Sequence, residues 1–230
     1  EIYHARTAFE NLEGIYPYEV SHPPLGKLII AIGIQLFGMT PFGWRFSGTL
    51  FGVLMLPAMY VLIKRLFGSS QTAACGAAIF AFDFMHFSQT RLATIDTYAV
   101  FFILLMYLFM YAYITTDKTR HFALSGLFFG IGAACKWTCI YAGAGLAVIW
   151  LIHQLRHFDI KHFAKSSASG VLFFILVPAV IYYASYYPYG QASGLHGIGM
   201  YFTSDYANIV LDNQKFMFTY HSGVNAEHPY

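Results

Sequence analysis

Long apolar stretches separated by short polar ones organise this sequence. Apolar residues run almost unbroken near 46–63, 71–87, 93–114, 122–136, 138–154 and 168–187. Several of these runs approach the roughly 20 residues that an α-helix needs to cross a bilayer, so the pattern predicts about six spans. The second and fourth are short and rich in Gly and Ala, which predicts helices packed closely inside a bundle. Residues 1–45 are polar to amphipathic and are broken by Pro17, Pro23, Pro24 and Pro41. Within them, Tyr3–Leu12 and Leu25–Phe37 are expected as short helices lying at the membrane interface. From about residue 188 the chain turns polar again, with Gly190, Gly194, Gly197 and Gly199 marking a loop. The expected fold class is all-α, a polytopic transmembrane bundle in one domain. It divides into an external segment (1–45), the bundle (46–187) and the start of a second external loop (188–230).

Composition supports that division. The chain is 57% hydrophobic, 19% aromatic and 10% charged, whereas soluble domains carry about a quarter charged residues. A net charge of +2 is too small to suggest nucleic acid as a partner. Cys75, Cys135 and Cys139 lack CxxC spacing and are expected as small buried residues. The sequence opens on Glu1 without a basic stretch leading into a short apolar run, so no signal peptide is expected. A further N-terminal span and a C-terminal region are expected outside it.

Six spans beginning near residue 46 place Lys64, Arg65, Lys118, Arg120, Arg156, Lys161 and Lys165 on one side of the membrane. Arg6, Lys27, Arg45, Arg91, Lys136 and Lys215 fall on the other. The first set sits in ordinary connecting loops, as cytoplasmic charges do. In the second set Arg45, Arg91 and Lys136 stand at the ends of spans, so this side is expected to be external.

A charge at a span end needs a reason to be there. Here three helix ends bring a cation to one face, and Asp96, Asp83, Glu1 and Glu10 join them. Cations at headgroup depth suit a lipid phosphate, the arginines through bidentate hydrogen bonds. A nearby carboxylate can take a proton from an attacking hydroxyl. Together they describe group transfer from a lipid phosphate, although cations at this depth also simply snorkel to headgroups. His22-Pro23-Pro24-Leu25-Gly26-Lys27 is the sharpest local motif, a rigid extended lead into a helix. His221 and His228 can face the same site, while His153 and His157 belong to a solvated loop opposite. No histidine carries metal-ligand spacing, and no metal or other cofactor is expected.

Several motifs, in order, resemble the protein O-mannosyltransferases. They are Glu1-Ile2-Tyr3-His4-Ala5-Arg6, His22 to Lys27, Gly43-Trp44-Arg45-Phe46, Thr90-Arg91 through Ile95-Asp96, and Cys135-Lys136-Trp137. The ending Ala226-Glu227-His228-Pro229-Tyr230 is similar to the bacterial branch. The resemblance implies a GT-C-type multi-helix fold and a bacterial plasma-membrane enzyme (ER membrane in a eukaryote). It implies transfer of mannose, with inversion, from a polyprenyl or dolichyl phosphate to Ser or Thr hydroxyls of secreted polypeptides. It also implies an Asp-Glu pair opening the first external loop. Glu1 matches the second member, so the aspartate that would act as general base is expected just before residue 1. By the same resemblance Arg45 binds the donor phosphate, with Lys136 and Arg91 beside it. Asp96 and Asp83 match acidic positions, and His22, Lys27 and His228 are further site candidates. Two other functions fit the residues: a lipid-phosphosugar transferase acting on a lipid or glycan, and a transporter or lipid-binding membrane protein.

Overall fold

The computed structural model describes residues 1–223, and every regular element among them is a helix. Helices α1 (Ile2–Leu12) and α2 (Leu25–Phe37) form where the amphipathic pattern places them. Their apolar faces meet in a cluster of Ala5, Ala8, Ile30, Ala31 and Ile34, completed by Ile95, Tyr98 and Phe102. Thr40 then starts α3 (Pro41–Phe67) as an N-cap, its hydroxyl accepting the Gly43 N–H at 3.1 Å, with Pro41 in the first turn.

The chain continues through α4 (Ser70–Ala81), α5 (Phe84–Gln89), α6 (Asp96–Thr116), α7 (Thr119–Cys135) and α8 (Thr138–Arg156). A nearly continuous helix follows, made of α9 (Ile160–Val171), a π-helical stretch Leu172–Leu176, α10 (Val177–Ser185) and α11 (Tyr187–Ala192). Pro178 accounts for the wider turn: it has no N–H to donate, and its ring would crowd the carbonyl four residues back in a regular helix. Helix α7 fits against this irregular stretch because Gly126 faces the Phe173 carbonyl and Gly130 faces the Pro178 backbone. Helix α6 lies at the centre, with Leu104, Met106, Leu108 and Met110 buried.

Four stretches are long and apolar enough to cross a membrane: Pro41–Phe67, Asp96–Thr116, Thr138–Arg156 and Ile160–Ala192. The second of the six expected spans is not one helix. It stops at Ala81, and Asp83 caps α5 anew, accepting the His86 N–H at 2.8 Å. The 12 residues of α4 rise only about 18 Å, well short of a hydrocarbon core. The fourth, α7, has 17 residues, near the lower limit for a span. Close packing of the short helices holds for α7 but not for α4, where Ala73 alone is buried. Cys135 and Cys139 are buried as expected; Cys75, on α4, is exposed.

Residues 188–223 also differ from a plain loop. Gly194 and Gly197 do turn the chain at positive φ, but a short 3₁₀ helix (Ile198–Phe202) and the 20-residue α12 (Ser204–Gly223) follow. Tyr186, Tyr189, Tyr206 and Val210 bind these elements to α10 in an aromatic cluster. His153 and His157, expected in a loop, end α8 as its last turn and C-cap. There a polar clasp joins α6, α8 and α9: Trp150 Nε1 donates to Ser166 Oγ at 2.8 Å, and Ser166 and Tyr113 hydroxyls lie 2.9 Å apart.

With these connections, the starts of α3, α6 and α8 share one face with the ends of α7 and α10. Helices α1, α2 and α12 lie over that face.

Candidate functional site

Arg45 sits in the first turns of α3, and its orientation is fixed by Glu1 at the start of α1. The Glu1 carboxylate accepts Arg45 Nε at 2.5 Å, Arg45 Nη2 at 3.0 Å and Trp44 Nε1 at 3.0 Å. The Arg45 hydrogen bonds hold the Glu1 carboxyl below its usual range against the opposing effect of burial. A carboxylate so engaged is a poor base and a good clamp. It uses one edge of the guanidinium and leaves the other N–H groups, of five in all, free for an anion.

Arg45 lines a cavity of about 860 Å³ between α3, α5 and the following turn. Arg91 lines the same cavity, its guanidinium stacked 4.8 Å from the Phe87 ring. Among the described residues Arg91 forms no ion pair. Besides the two arginines the walls are mainly apolar, with Val53, Leu56, Phe84, Phe87 and Leu92 beside the polar Thr49, His86, Ser88 and Thr90. Two cations above a greasy cleft fit an anionic headgroup carried on a hydrocarbon chain.

Lys136 does not line this cavity. It caps the end of α7 and donates to Asp96 Oδ1 at 2.5 Å, across to the first turn of α6. Asp96 remains half exposed, and an ion pair this open contributes little to stability, about 0–1 kcal/mol. Asp96 and Asp83 border a second cavity of about 440 Å³ with His86 and Thr97. Lys136 lines a third, of about 530 Å³, with His22, Trp137, Tyr141, Phe218 and His221. Burial, assisted by the positive charge of Lys136, Lys27 and His221 against the opposing charge of Glu19, pushes His22 down to about 4. The imidazole is therefore neutral at physiological pH. The single phosphate site expected from Arg45, Arg91 and Lys136 is thus divided: the arginines share one cavity, and the lysine faces its neighbour.

Lys27 is in none of the three cavities. It is fully buried, and its ammonium donates to Glu19 Oε2 at 2.6 Å, Glu19 O at 2.7 Å and His22 O at 3.0 Å. Burial alone would raise the Glu19 carboxyl, but the His4 ring 3.6 Å away, the charge and hydrogen bond of Lys27 and the hydrogen bonds from Ser21 hold it well below the carboxylate range. A group depressed in this way stabilises the fold fully above its ordinary value of 4.5 and loses that contribution as pH falls. Burial also lowers Lys27, so the reference is Glu19→Gln/Lys27→Met, which removes both charges: the gap in melting temperature between it and wild type is expected to narrow as pH falls below 4.5. A gap that widens on acidification contradicts the pair.

Glu19 had no signal in the sequence, since it lies in an extended stretch without periodicity, eight residues before its partner. His228 lies outside the described residues.

Comparison with known proteins gives a consistent result. Residues 21–183 match the family model described as dolichyl-phosphate-mannose-protein mannosyltransferase. The chain is 33% identical over 118 residues to the polyprenol-phosphate-mannose–protein mannosyltransferase of Mycobacterium tuberculosis, covering 51% of this chain and 22% of that one. It is 26% identical over 203 residues to the enzyme of the same name from Mycolicibacterium smegmatis, covering 74% and 39%. It therefore spans well under half the length of these relatives. Its fold is that of the Saccharomyces cerevisiae protein O-mannosyltransferase Pmt1–Pmt2 complex bound to the sugar donor. That match has a TM-score of 0.74 at 22% identity, covering 86% of this chain and 31% of that one.

Proposed function

Because the chain belongs to the dolichyl-phosphate-mannose-protein mannosyltransferase family, we propose that it forms the donor-binding part of an integral-membrane enzyme that mannosylates proteins. The donor is a polyprenyl-phosphate mannose, and the acceptor is a Ser or Thr hydroxyl of a secreted polypeptide. The observation that carries this is the cavity shared by Arg45 and Arg91 above apolar walls. The phosphate would meet the free edge of Arg45 and the Arg91 guanidinium, with the polyprenyl chain running down along Val53, Leu56 and Phe84.

The acceptor oxygen attacks the anomeric carbon as the bond from that carbon to the phosphate oxygen breaks, inverting the sugar. Negative charge grows on the departing phosphate, where the Arg45 guanidinium, preset by Glu1, and that of Arg91 stabilise it. The acceptor proton passes to a carboxylate. The family resemblance assigns that role to the aspartate expected before Glu1, while Glu1, committed to Trp44 and Arg45, orients the phosphate-binding arginine. Asp96, half exposed beside Lys136, is a second acid at the same face. That face is external: the cations of ordinary loops, Lys64, Arg65, Lys118, Arg120, Arg156, Lys161 and Lys165, lie at the opposite one. The bacterial plasma membrane is the corresponding location.

The test is product analysis with the whole protein in nanodiscs. It is given polyprenyl-phosphate [³H]mannose and, separately, a Ser/Thr peptide, a lipid and a glycan acceptor. Label on the peptide hydroxyl is the expected result. Label on lipid or glycan alone would assign a different acceptor class, and donor binding without cleavage would make the protein a carrier.

A further inference from the structure

The motif His22 to Lys27 enters the structure in an unexpected way. Residues 18–22 have no helix or strand to satisfy their backbone, yet side chains from three helices do so. From α1, the Glu10 carboxylate accepts the Tyr18 N–H at 2.7 Å and Thr7 Oγ1 accepts the Glu19 N–H at 2.9 Å. From α2, Lys27 takes the carbonyls of Glu19 and His22. From α12, Asn213 Nδ2 donates to the Val20 carbonyl at 3.0 Å, and His221 Nε2 lies 2.9 Å from the Ser21 carbonyl. Four consecutive carbonyls are thus each held by a side chain. Irregular backbone that is partly withdrawn from water is steadied by such partners, and losing one frees the segment to move.

Asn213 is in turn the last link of a chain that starts beside Lys136. Trp137 Nε1 donates to Tyr182 Oη at 3.0 Å, and Tyr182 Oη donates to Gln214 Oε1 at 2.6 Å. Gln214 Nε2 donates to Tyr186 Oη at 2.8 Å, and Tyr186 Oη donates to Asn213 Oδ1 at 2.7 Å. Every donor points the same way, from Trp137 to Val20, so neither amide can flip without breaking two bonds. The chain ties together the two walls of the third cavity, Lys136–Trp137 on one side and His22 on the other.

We propose that residues 18–22 form a strap that sets His22 against Lys136, and that Lys27 and Asn213 are positioning residues acting through it. Helix α12 is then part of the site, because its docking fixes the strap and supplies the outer wall with Phe218 and His221. The charged and titratable groups around His22 are Glu19, Lys27, Lys136, His221 and His4. A loosened strap admits water to the ring. The catalytic part of this proposal rests on the transferase reading; the positional part does not.

Two measurements on the whole protein in nanodiscs test it. The first follows the His22 imidazole by NMR with labelled histidine, assigned with His22→Asn. In wild type it is expected to titrate near 4; in Asn213→Leu, which keeps the branched shape and removes both hydrogen bonds, it is expected to move toward 6.5. The second measures mannosyl transfer per folded molecule. Asn213→Leu is expected to lower kcat about tenfold with donor KM within twofold, because the arginine cavity is untouched, and Asn213→Gln to recover part of the loss. Lys27→Met should act in the same direction, and if it fails to fold, Asn213→Leu alone decides. A folded Asn213→Leu protein whose His22 still titrates near 4 overturns the strap. A shifted His22 with unchanged kcat overturns its role in transfer. Loss of all transfer in wild type, with His22 still moving in the variant, sinks the transferase reading and leaves the strap standing.

Discussion

Arg45→Ala in the whole protein is expected to lower mannosyl transfer about 10²–10³-fold while leaving membrane insertion and yield near wild type. The magnitude is that of removing one preset donor from a developing negative charge. Position supports the expectation: Glu1, which also accepts the Trp44 indole N–H, takes two of the guanidinium's N–H groups, and Arg45 lines the cavity. Removing a partly exposed side chain costs the fold little, so stability and transfer separate cleanly. Arg45→Lys should recover only part of the activity, since an ammonium keeps the charge but cannot fork between Glu1 and a phosphate. Arg91→Ala is expected to cost less, about tenfold, because Arg91 is exposed and is steadied by a single ring, Phe87. Steady-state transfer over a range of donor concentrations checks all three. Near-normal transfer by Arg45→Ala would remove the arginine from phosphate binding.

That Arg45 could be singled out from the sequence at all has a physical reason. A cation at the end of an apolar run is expensive enough to demand an explanation, so Arg45, Arg91, Lys136 and Asp96 stood out before any fold was known. Helices α1 and α2 were legible because proline breaks bound them and amphipathic spacing fills them. The break at Asp83 was not, because 71–87 is apolar apart from Gln71, Thr72, Asp83 and His86, and only the side-chain cap made by Asp83 reveals the stop. Helix α12 was hidden because a polar helix following a glycine-rich turn has the composition of a loop. Division of the cations between two cavities was equally invisible. Which way a side chain at a helix end leans is decided by partners distant in sequence, Glu1 for Arg45 and Asp96 for Lys136. Lys27 shows the same limit from the other side. Its motif marked it as important, but only the partner Glu19 shows that its place is beneath the site rather than in it.

Gly33→Val is expected to lower both the melting temperature and transfer, although residue 33 touches no substrate. Helices α2 and α3 cross with backbone against backbone: a Cβ at Gly33 would overlap the Gly43 carbonyl oxygen and stand 3.2 Å from Ser47 Oγ. A carbonyl in the first turn of a helix cannot step aside as a side-chain tip can, so the helices must part. Overpacking of this kind costs about 1–3 kcal/mol, or roughly 2–12 °C in melting temperature for a chain of this size. Gly43 stands two residues before Arg45, so the displaced turn is the one that presents the guanidinium. Transfer per folded molecule is therefore expected to fall about tenfold, in proportion to misplacement rather than to unfolding. Gly33→Ala should show the same two effects at smaller size. Gly199→Ala serves as the control, since nothing lies within 4 Å of a Cβ there, and it should change neither quantity. If Gly33→Val melts like wild type, the close crossing of α2 and α3 is not what holds Arg45. If it melts lower but transfers normally per folded molecule, that crossing matters for stability alone, and Glu1 suffices to aim the arginine.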